Sequence, residues 1–461
     1  MRRAFIPTVA SALVLTAPAV WAQPGVAPAA VPPFVLAQPQ GATAPPETIT
    51  LQDALQRARQ NDAQFQTAVA DSQSAQEDRA QARAGLLPSL SYTTQYIGNQ
   101  PNGVNPNGRF VSMDGVSMYR AWGVLRQEVS ASSLTGTALR RARAMEAEAA
   151  ARLEVAQRGL AVTVTRAYYA LVTAERKYAT AQASAAQAQR FLDVAERQQR
   201  LGQVAMSDVI KAQIQSQQRA QAFRESTLGL DTARLGLSVL VFPDFTERFT
   251  VVDDLSAAPP LPVFAEVNVL AGRDNPELRA AQASLDAASQ DERAARFALL
   301  PSLSLEADYG IEANAFALHS RIAAQPELGV LPNLGYAVTA SLTVPVWDWG
   351  GLRSRVRQTQ IKARVAKVTL TQTQRALLAA LYGKYNEALV AKSAAESAQR
   401  VADLAAESLR LTNLRYGAGE STALEVVDAQ NTLVQTRNAF DDESARYRVA
   451  LADLQTLTGN F

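Results

Sequence analysis

The sequence LLPSLS at residues 86–91 returns unchanged at residues 299–304. Upstream of the two copies, Ala, Asp and Arg residues recur in the same register over 61–94 and 274–307. A six-residue block that contains Pro is poorly explained by chance similarity between Ala-rich helices. The two halves of the chain therefore indicate an internal duplication.

A second pair of segments supports the duplication. GQVAMSDVIKAQ at 202–213 aligns without gaps with GESTALEVVDAQ at 419–430. Each half reads as helix, strand, loop, strand, long helix, tight turn and helix. We place the first repeat at 49–242, a linker at 243–264 and the second repeat at 265–461.

Period-two alternation of apolar and polar residues follows each copy of LLPSLS. In the second half, apolar residues occupy alternate positions over 303–309 and 336–346. The second strand segment alternates less cleanly, because Arg120 and Arg126 share a face with Trp122. The pattern predicts strands at about 88–98, 117–130, 301–311 and 335–347, with lengths that suit strands crossing a bilayer.

Long stretches without Pro predict long helices. Thr50 is the expected N-cap of a first helix that Pro88 stops. The segment 134–200 contains no Pro, and at 1.5 Å per residue it would form a helix of about 100 Å. Helices of this length must pack lengthwise, as coiled coils do. The predicted helices are 50–86, 134–200, 206–240, 275–299, 352–416 and 422–457.

The N-terminal residues predict export. Arg2 and Arg3 precede an apolar stretch that ends in small residues, so we expect a signal peptide at 1–22 with cleavage after Ala22. Residues 23–48 are rich in Pro and Ala without periodicity, and we expect them to form a disordered lead-in. Cleavage would leave 43 basic and 43 acidic residues.

The composition excludes several classes of function. The 461 residues include no Cys and one His, His319. These counts exclude disulfide frameworks, thiolate metal sites, Cys nucleophiles and multi-histidine metal sites, and they disfavour a Ser-His-Asp triad. The balanced charge offers no basic face to nucleic acid. We therefore expect no enzyme activity, no cofactor and no resident metal.

The mature chain has no apolar run near the ~18 residues that mark a membrane helix. It is therefore either soluble outside the cytoplasm or crosses a membrane by strands. Four strands cannot close a barrel, and open strand edges are not tolerated in lipid. The strands thus imply an oligomer that shares one barrel, built from two chains with eight strands or three chains with twelve.

In this order, the features resemble the outer-membrane efflux protein family, the TolC-like channels. The resemblance covers about 49–459 and rests on the doubled LLPSLS, the sequence VPVWDWGG at 344–351 and the two Gly-led helix turns. It implies an α+β membrane protein that assembles as a homotrimer. Four strands per chain would join a shared twelve-stranded β-barrel in the outer membrane, and the long helices would form a coiled-coil tunnel in the periplasm.

The resemblance also implies function and partners. The protein would be the outer-membrane exit duct of a tripartite export system, passively conducting small molecules such as drugs from an inner-membrane pump and a periplasmic adaptor to the outside. Type I protein secretion and metal-ion efflux use the same architecture and stay open. A periplasmic coiled-coil adaptor or spacer is the alternative of another class, and the four amphipathic strands count against it.

Two pairs of residues match functional positions of the family at the closed end of the tunnel. Glu425 and Asp428 match an acidic ring inside the entrance, where three copies would favour cations and raise the carboxylate pKa values. A solvated helix face is the alternative interpretation of these two acids. Tyr416 and Asp208 match a hydrogen-bonded link that holds the entrance shut, but Ser421 stands where a basic residue would reinforce it.

The helix tips and the strand ends carry the remaining candidates. Glycines at the tips allow the chain to reverse, and the resemblance implies that they meet the adaptor: Gly202, Gly417 and Gly419. Tryptophans in or beside strand segments are expected in an interfacial aromatic belt, although ordinary packing competes for the first of them: Trp122, Trp347 and Trp349.

Overall fold

The computed structural model describes residues 47–98, 117–202, 204–243, 249–257, 259–313, 316–321, 326–418 and 420–459. The expected signal peptide, most of the lead-in and Gly419 lie outside these residues. The helices are α1 (Leu51–Asn61), α2 (Ala63–Ala84), α3 (Ala131–Thr135), α4 (Thr137–Arg200), α5 (Met206–Val241), α6 (Phe264–Asp274), α7 (Pro276–Phe297), α8 (Gly351–Gly417) and α9 (Ala423–Thr458). The strands are β1 (Glu47–Ile49), β2 (Ser89–Gly98), β3 (Ser117–Ser130), β4 (Phe249–Val251), β5 (Ser302–Ala313), β6 (His319–Arg321), β7 (Val330–Pro332) and β8 (Leu334–Thr343).

Four long strands form one antiparallel sheet in the order β2-β3-β5-β8. Each repeat contributes two neighbouring strands, and β3 pairs with β5 across the repeats. The predicted class, an α+β chain built from two helix-strand-strand-helix units, is confirmed. β8 ends at Thr343, four residues before the expected end, because Thr343 pairs with Ser302, the first residue of its partner strand β5.

The sheet has one apolar and one polar face. Register places Tyr96 opposite Tyr119, and Tyr309 opposite Tyr336, on the apolar face. Large side chains of this face are exposed in the single chain: Leu90, Tyr92, Tyr96, Leu125, Leu305, Tyr309, Tyr336, Val338 and Leu342. The opposite face carries Ser, Thr and charged residues in the same alternation. Exposure of so large an apolar face is typical of a surface that another molecule covers.

The helices all extend from one end of the sheet. α2 and α7 lead into β2 and β5, and α4 and α8 follow β3 and β8. α4 has 64 residues and α8 has 67, so each is about 100 Å long. α4 forms an antiparallel hairpin with α5, α8 does so with α9, and α4 also packs against α2, α7 and α9. Within the described residues, we find no helix with the length and apolar character needed to span a membrane.

The first predicted helix is interrupted. Thr50 is its N-cap, as expected, and forms a capping box with Asp53. At Asp62 the backbone becomes extended, and the Asp62 side chain accepts a hydrogen bond of 2.6 Å from the Phe65 amide. Asp is a favoured N-cap because its carboxylate satisfies an amide of the first helical turn. The segment therefore forms α1 and α2 instead of one helix.

The lead-in was expected to be disordered through residue 48, and this is wrong for its last two residues. Glu47 and Thr48 lie in β1, which pairs in parallel with β4 of the linker. Ile49 follows them into a buried cluster with Tyr168 of α4. The Tyr168 hydroxyl donates a hydrogen bond of 2.8 Å to the Val252 carbonyl. Burial of these apolar side chains orders the end of the lead-in.

The linker between the repeats is clamped to helices of both. The Arg176 guanidinium on α4 donates to both carboxylate oxygens of Asp253, at 2.6 and 2.8 Å. Its third nitrogen donates to Asp441 of α9 at 2.9 Å. The Tyr447 hydroxyl of α9 donates to the Pro259 carbonyl at 2.7 Å. One arginine thus ties the linker to α4 and α9, and bidentate pairs of this kind fix geometry as well as contributing energy.

Gly310 marks a close approach between β5 and β3. A Cβ at this position would lie 2.1 Å from the Ala121 carbonyl oxygen and 2.8 Å from the Trp122 side chain. Trp122 is the cross-strand partner of Gly310, so its indole covers the space that a side chain would otherwise occupy. Such pairing of an aromatic ring with a strand glycine fixes sheet register.

We predict that Gly310→Ala destabilises the sheet, by about 1–3 kcal/mol if the strands can shift to relieve the clash. Gly335→Ala is the matched control, because Gly335 on β8 is the cross-strand partner of Gly310 and a Cβ at residue 335 meets nothing within 4 Å. The measurement is the temperature at which the purified oligomer dissociates on semi-native gels. Equal dissociation temperatures for the two variants would contradict the steric argument.

Candidate functional site

The two helix hairpins meet at their tips. The first tip joins α4 to α5, and Gly202 there has φ +73°, a left-handed conformation that favours glycine. The second tip joins α8 to α9, with Gly417 as the last residue of α8. An apolar cluster unites the tips: Phe191, Leu192, Ala195, Val209, Ala212, Ala423 and Val426. The structure therefore brings the predicted tip residues of both repeats to one end of the molecule.

Glu425 lies in the first turn of α9 and closes a capping box with Thr422. The Ser421 hydroxyl donates to its carboxylate at 2.9 Å, and Arg415 lies 3.9 Å away. The hydrogen bond from Ser421, followed by those from Thr422, lowers the pKa of Glu425. The depressed pKa means that these bonds contribute fully above pH 4.5, the ordinary glutamate value, and are lost as the pH falls through the lowered pKa.

Asp428 follows one turn later on α9. Both Glu425 and Asp428 are exposed, whereas Ala423 and Val426 beside them are buried in the tip cluster. The two acids therefore face away from the apolar tip cluster. In the single chain the hydrogen bonds lower the pKa of Glu425, which is opposite to the rise expected from like charges around an assembly axis.

The expected hydrogen bond between Tyr416 and Asp208 is not formed. The Tyr416 hydroxyl donates to Gln198 of α4 at 3.1 Å, and its ring packs against Phe191 at a centroid distance of 5.5 Å. Asp208 lies in the first turn of α5 and pairs with Lys211 at 3.6 Å. Burial, and then the charge of Asp208, raise the pKa of Tyr416, so the carboxylate influences the phenol without bonding to it.

Sequence reasoning missed Gln198. It lies two helical turns after Phe191 on α4, and that spacing places both residues on one face of the helix. The signal becomes visible only when Tyr416 is known to pack against Phe191. Within the single chain, the hydrogen bond of Tyr416 therefore joins α8 to α4, and a link between Tyr416 and Asp208 in an assembly stays a prediction.

The polar face of the sheet carries ion pairs between β3 and β5. Arg126 pairs with Glu306 at 2.5 Å, and Arg120 pairs with Glu312 at 2.7 Å. The Arg120 guanidinium lies 5.3 Å from the Trp122 ring centroid. Trp122 thus shares the polar face with these charges, and its assignment to a membrane-facing aromatic belt is wrong because side chains two residues apart lie on the same face of a strand.

The other two tryptophans lie beyond the sheet. Trp347 and Trp349 come after the end of β8, are 75% and 89% exposed, and contact each other edge to face at 5.6 Å. Between them, Asp348 accepts hydrogen bonds from the amides of Gly350 and Leu352 at the start of α8. Trp347 and Trp349 thus lie at the end of the sheet from which the helices extend, and their role at a membrane interface stays a prediction.

A cavity of about 900 Å³ lies along α4 between α5 and α9. Its wall includes the ion pair of Lys177 with Asp442 at 2.6 Å and carries Asp453, which pairs with Lys384 at 2.7 Å. Within the described residues, we find no group of His, Asp and Glu side chains arranged to hold a metal ion. The arrangement supports a charged, solvated wall.

The model of the family described as outer membrane efflux protein matches residues 54–241 and 269–460. The chain is 23% identical to outer membrane protein TolC of Escherichia coli over 418 residues, which cover 89% of this chain and 82% of that protein. It is 27% identical over 299 residues to the pyoverdine export outer membrane protein OpmQ of Pseudomonas putida, covering 62% of this chain and 58% of that relative.

Solved structures show the same fold. The outer membrane protein VceC of Vibrio cholerae superposes with a TM-score of 0.72 and 16% identity, covering 89% of this chain and 96% of that chain. The MtrE outer membrane channel of Neisseria gonorrhoeae, solved in its open state, gives a TM-score of 0.71 with 21% identity and covers 89% of each chain.

We predict that Tyr416→Phe loosens the contact between the tips, because it removes one hydrogen bond worth about 1 kcal/mol. Tyr382→Phe is the control, since Tyr382 is an exposed tyrosine of the same helix whose described contact is through its ring. The measurement is amide hydrogen exchange in the last turns of α4 and α8. Faster exchange at both tips in Tyr416→Phe alone is expected, and unchanged exchange there would contradict the link to Gln198.

Proposed function

This chain belongs to the outer membrane efflux protein family and resides in the outer membrane, and we propose that three copies of it form a passive exit duct for small molecules. The observation that carries the proposal is the open four-stranded sheet with one exposed apolar face. The apolar face suits contact with lipid, and the polar face with its ion pairs suits a water-filled lumen. A periplasmic spacer would have no use for such a sheet.

Closure of the sheet requires further copies of the chain. β2 and β8 are its edges, and an edge left unpaired in lipid costs several kcal/mol for each unsatisfied backbone group. Within the chain, the second strand of the first repeat pairs with the first strand of the second repeat. The same kind of junction between chains would pair β8 with β2 of the next copy. Every strand then has two neighbours.

The polar face favours three copies over two. Eight strands enclose a space that side chains just fill, whereas larger barrels leave an aqueous channel. Arg126 and Glu306, paired on the polar face, retain 63% and 33% exposure in the single chain, so they need room and water. Twelve strands from three copies supply both, and the resulting barrel is wide enough to pass small molecules.

Two helices carry apolar rows that the single chain leaves uncovered. Within 206–214, 361–368 and 404–414 the exposed residues named below are three, four or seven apart, which are the spacings of a coiled-coil seam. On α5 the exposed residues include Met206, Ile210 and Ile214, and on α8 they include Ile361, Val365, Val368, Leu404, Leu411 and Leu414. Contact between neighbouring copies along these rows would bury them and close the helices into a tunnel.

The tips would form the periplasmic entrance of that tunnel. Three copies of Glu425 and Asp428 around the axis would concentrate negative charge there, which favours cations and repels anions. The same tips, with Gly202 and Gly417, are the surface that a periplasmic adaptor and, behind it, an inner-membrane pump would engage. The OpmQ relative is named for the export of pyoverdine. Pyoverdine is a small molecule, and this supports small molecules as the cargo.

We predict that Glu425→Gln with Asp428→Asn reduces the preference of the channel for cations. Gln can keep the capping box with Thr422, so the variant loses charge and keeps the start of α9. Asp71→Asn, at an exposed acid of α2, is the control. The measurement is the reversal potential in a planar bilayer under a salt gradient. A reversal potential equal to that of the wild type would contradict the acidic entrance.

We also predict that Gly202→Ala impairs export more than Gly136→Ala does. Both glycines have positive φ, +73° and +62°, and a Cβ on either meets nothing within 4 Å. The two substitutions therefore impose a similar backbone strain of about 1–2 kcal/mol, at the tip and at the start of α4. Export is measured in cells as resistance to toxic compounds, with oligomer formation checked on gels. Equal export by two assembled variants would contradict docking at the tip.

A further inference from the structure

Between β5 and β8 the structure describes residues 316–321 and 326–333, and in these β6 and β7 pair as an antiparallel hairpin at the end of the sheet away from the helices. Asn333 fixes its base. The Asn333 amide donates to the Leu318 carbonyl at 2.8 Å, and its side-chain nitrogen donates to the Ala317 carbonyl at 2.9 Å. The Ser320 hydroxyl donates to the Asn333 side-chain oxygen at 2.7 Å. These bonds give the hairpin a defined orientation relative to β8, which begins one residue later.

The hairpin begins on the apolar side of the sheet. The Phe316 ring lies 6.4 Å from the Tyr119 ring, and Tyr119 lies 5.1 Å from Tyr96. Tyr96 and Tyr119 are cross-strand partners on the apolar face, whereas Arg120 and its partner Glu312 lie on the other face. Phe316 therefore extends the apolar face beyond the last paired residues of the sheet.

Large apolar side chains on and beside the hairpin are exposed in the single chain. Phe316 is 63% exposed, Leu318 60%, Leu328 51% and Val330 56%. Exposed apolar side chains that continue the apolar face of the sheet, on an element held in place by hydrogen bonds, mark a surface that contacts another apolar phase. Arg321 is exposed at the end of β6, opposite Val330, and a long basic side chain beside apolar ones suits the level of lipid phosphates.

We infer that the β6–β7 hairpin lies against the outer leaflet of the membrane, with Phe316 and Leu318 among the lipid acyl chains. The inference rests on the proposed function, because it takes the apolar face of the sheet as the lipid-facing surface. Continuity of Phe316 with Tyr119 on that face selects lipid as the occupant. A hairpin that closed over the pore would have to continue the face of Arg120 and Glu312. The hairpin therefore adds to the apolar surface of each chain that contacts lipid.

The absence of Cys from the chain makes a site-specific test direct. Single variants Leu318→Cys, Val338→Cys and Ser341→Cys carry a nitroxide label in lipid vesicles. Val338 marks the apolar face and Ser341 the polar face of β8. Collision of the label with oxygen, which concentrates in acyl chains, is compared with collision with a water-soluble nickel chelate. Leu328→Cys gives a second position on the hairpin if Leu318→Cys fails to assemble.

We expect the ratio of oxygen to nickel accessibility at residue 318 to approach that at residue 338 and to exceed that at residue 341. If residue 318 matches residue 341 while residue 338 reports lipid, the hairpin is in water and the inference fails, although the proposed function stands. If residue 338 also reports water, the apolar face is not in the membrane and both fail.

Discussion

The structure depends on one constraint, that a backbone amide or carbonyl in lipid must find a partner within protein. The four-stranded sheet satisfies this internally at β3 and β5 and leaves it unmet at β2 and β8. Because the exposed apolar face suits lipid, water is not available to hydrogen-bond with the backbone groups of the edge strands. Assembly is therefore a condition of membrane insertion for this chain.

Each strand of the sheet connects to a helix through a short segment at the same end, so the position of the sheet fixes the position of the tips. The linker serves the same end near the middle of the helices, where Arg176 joins Asp253 to Asp441. Removal of the arginine from this group would leave two partly buried carboxylates without a compensating charge, which would destabilise the fold. Sheet, linker and tip cluster are thus three levels at which the two repeats are held in register.

Periodicity was sufficient to predict the four strands of the sheet and the long helices α4, α5, α8 and α9, because period two and long Pro-free stretches are local properties of the sequence. It failed where tertiary contacts decide. Trp122 was assigned by residue type to a membrane interface, although its alternation with Arg120 already placed it on the polar face. Gln198 carried no distinguishing signal in a Gln-rich segment, and its role came from the packing of Tyr416 on Phe191. Residues 47 and 48 were ordered by a strand partner two hundred positions away.

The pairing of β3 with β5 has a consequence for the origin of the chain. It is a junction between the end of one repeat and the start of the next, and the proposed junction of β8 with a neighbouring β2 repeats it. A barrel of three chains is then a ring of six equivalent hairpins. A chain of half the length could close the same ring with six copies. Fusion of two such units halves the number of chains that must meet to close the ring. It also lets the two tips diverge, so that the equivalent positions of the two repeats, Asp208 and Glu425, no longer have to carry the same residue.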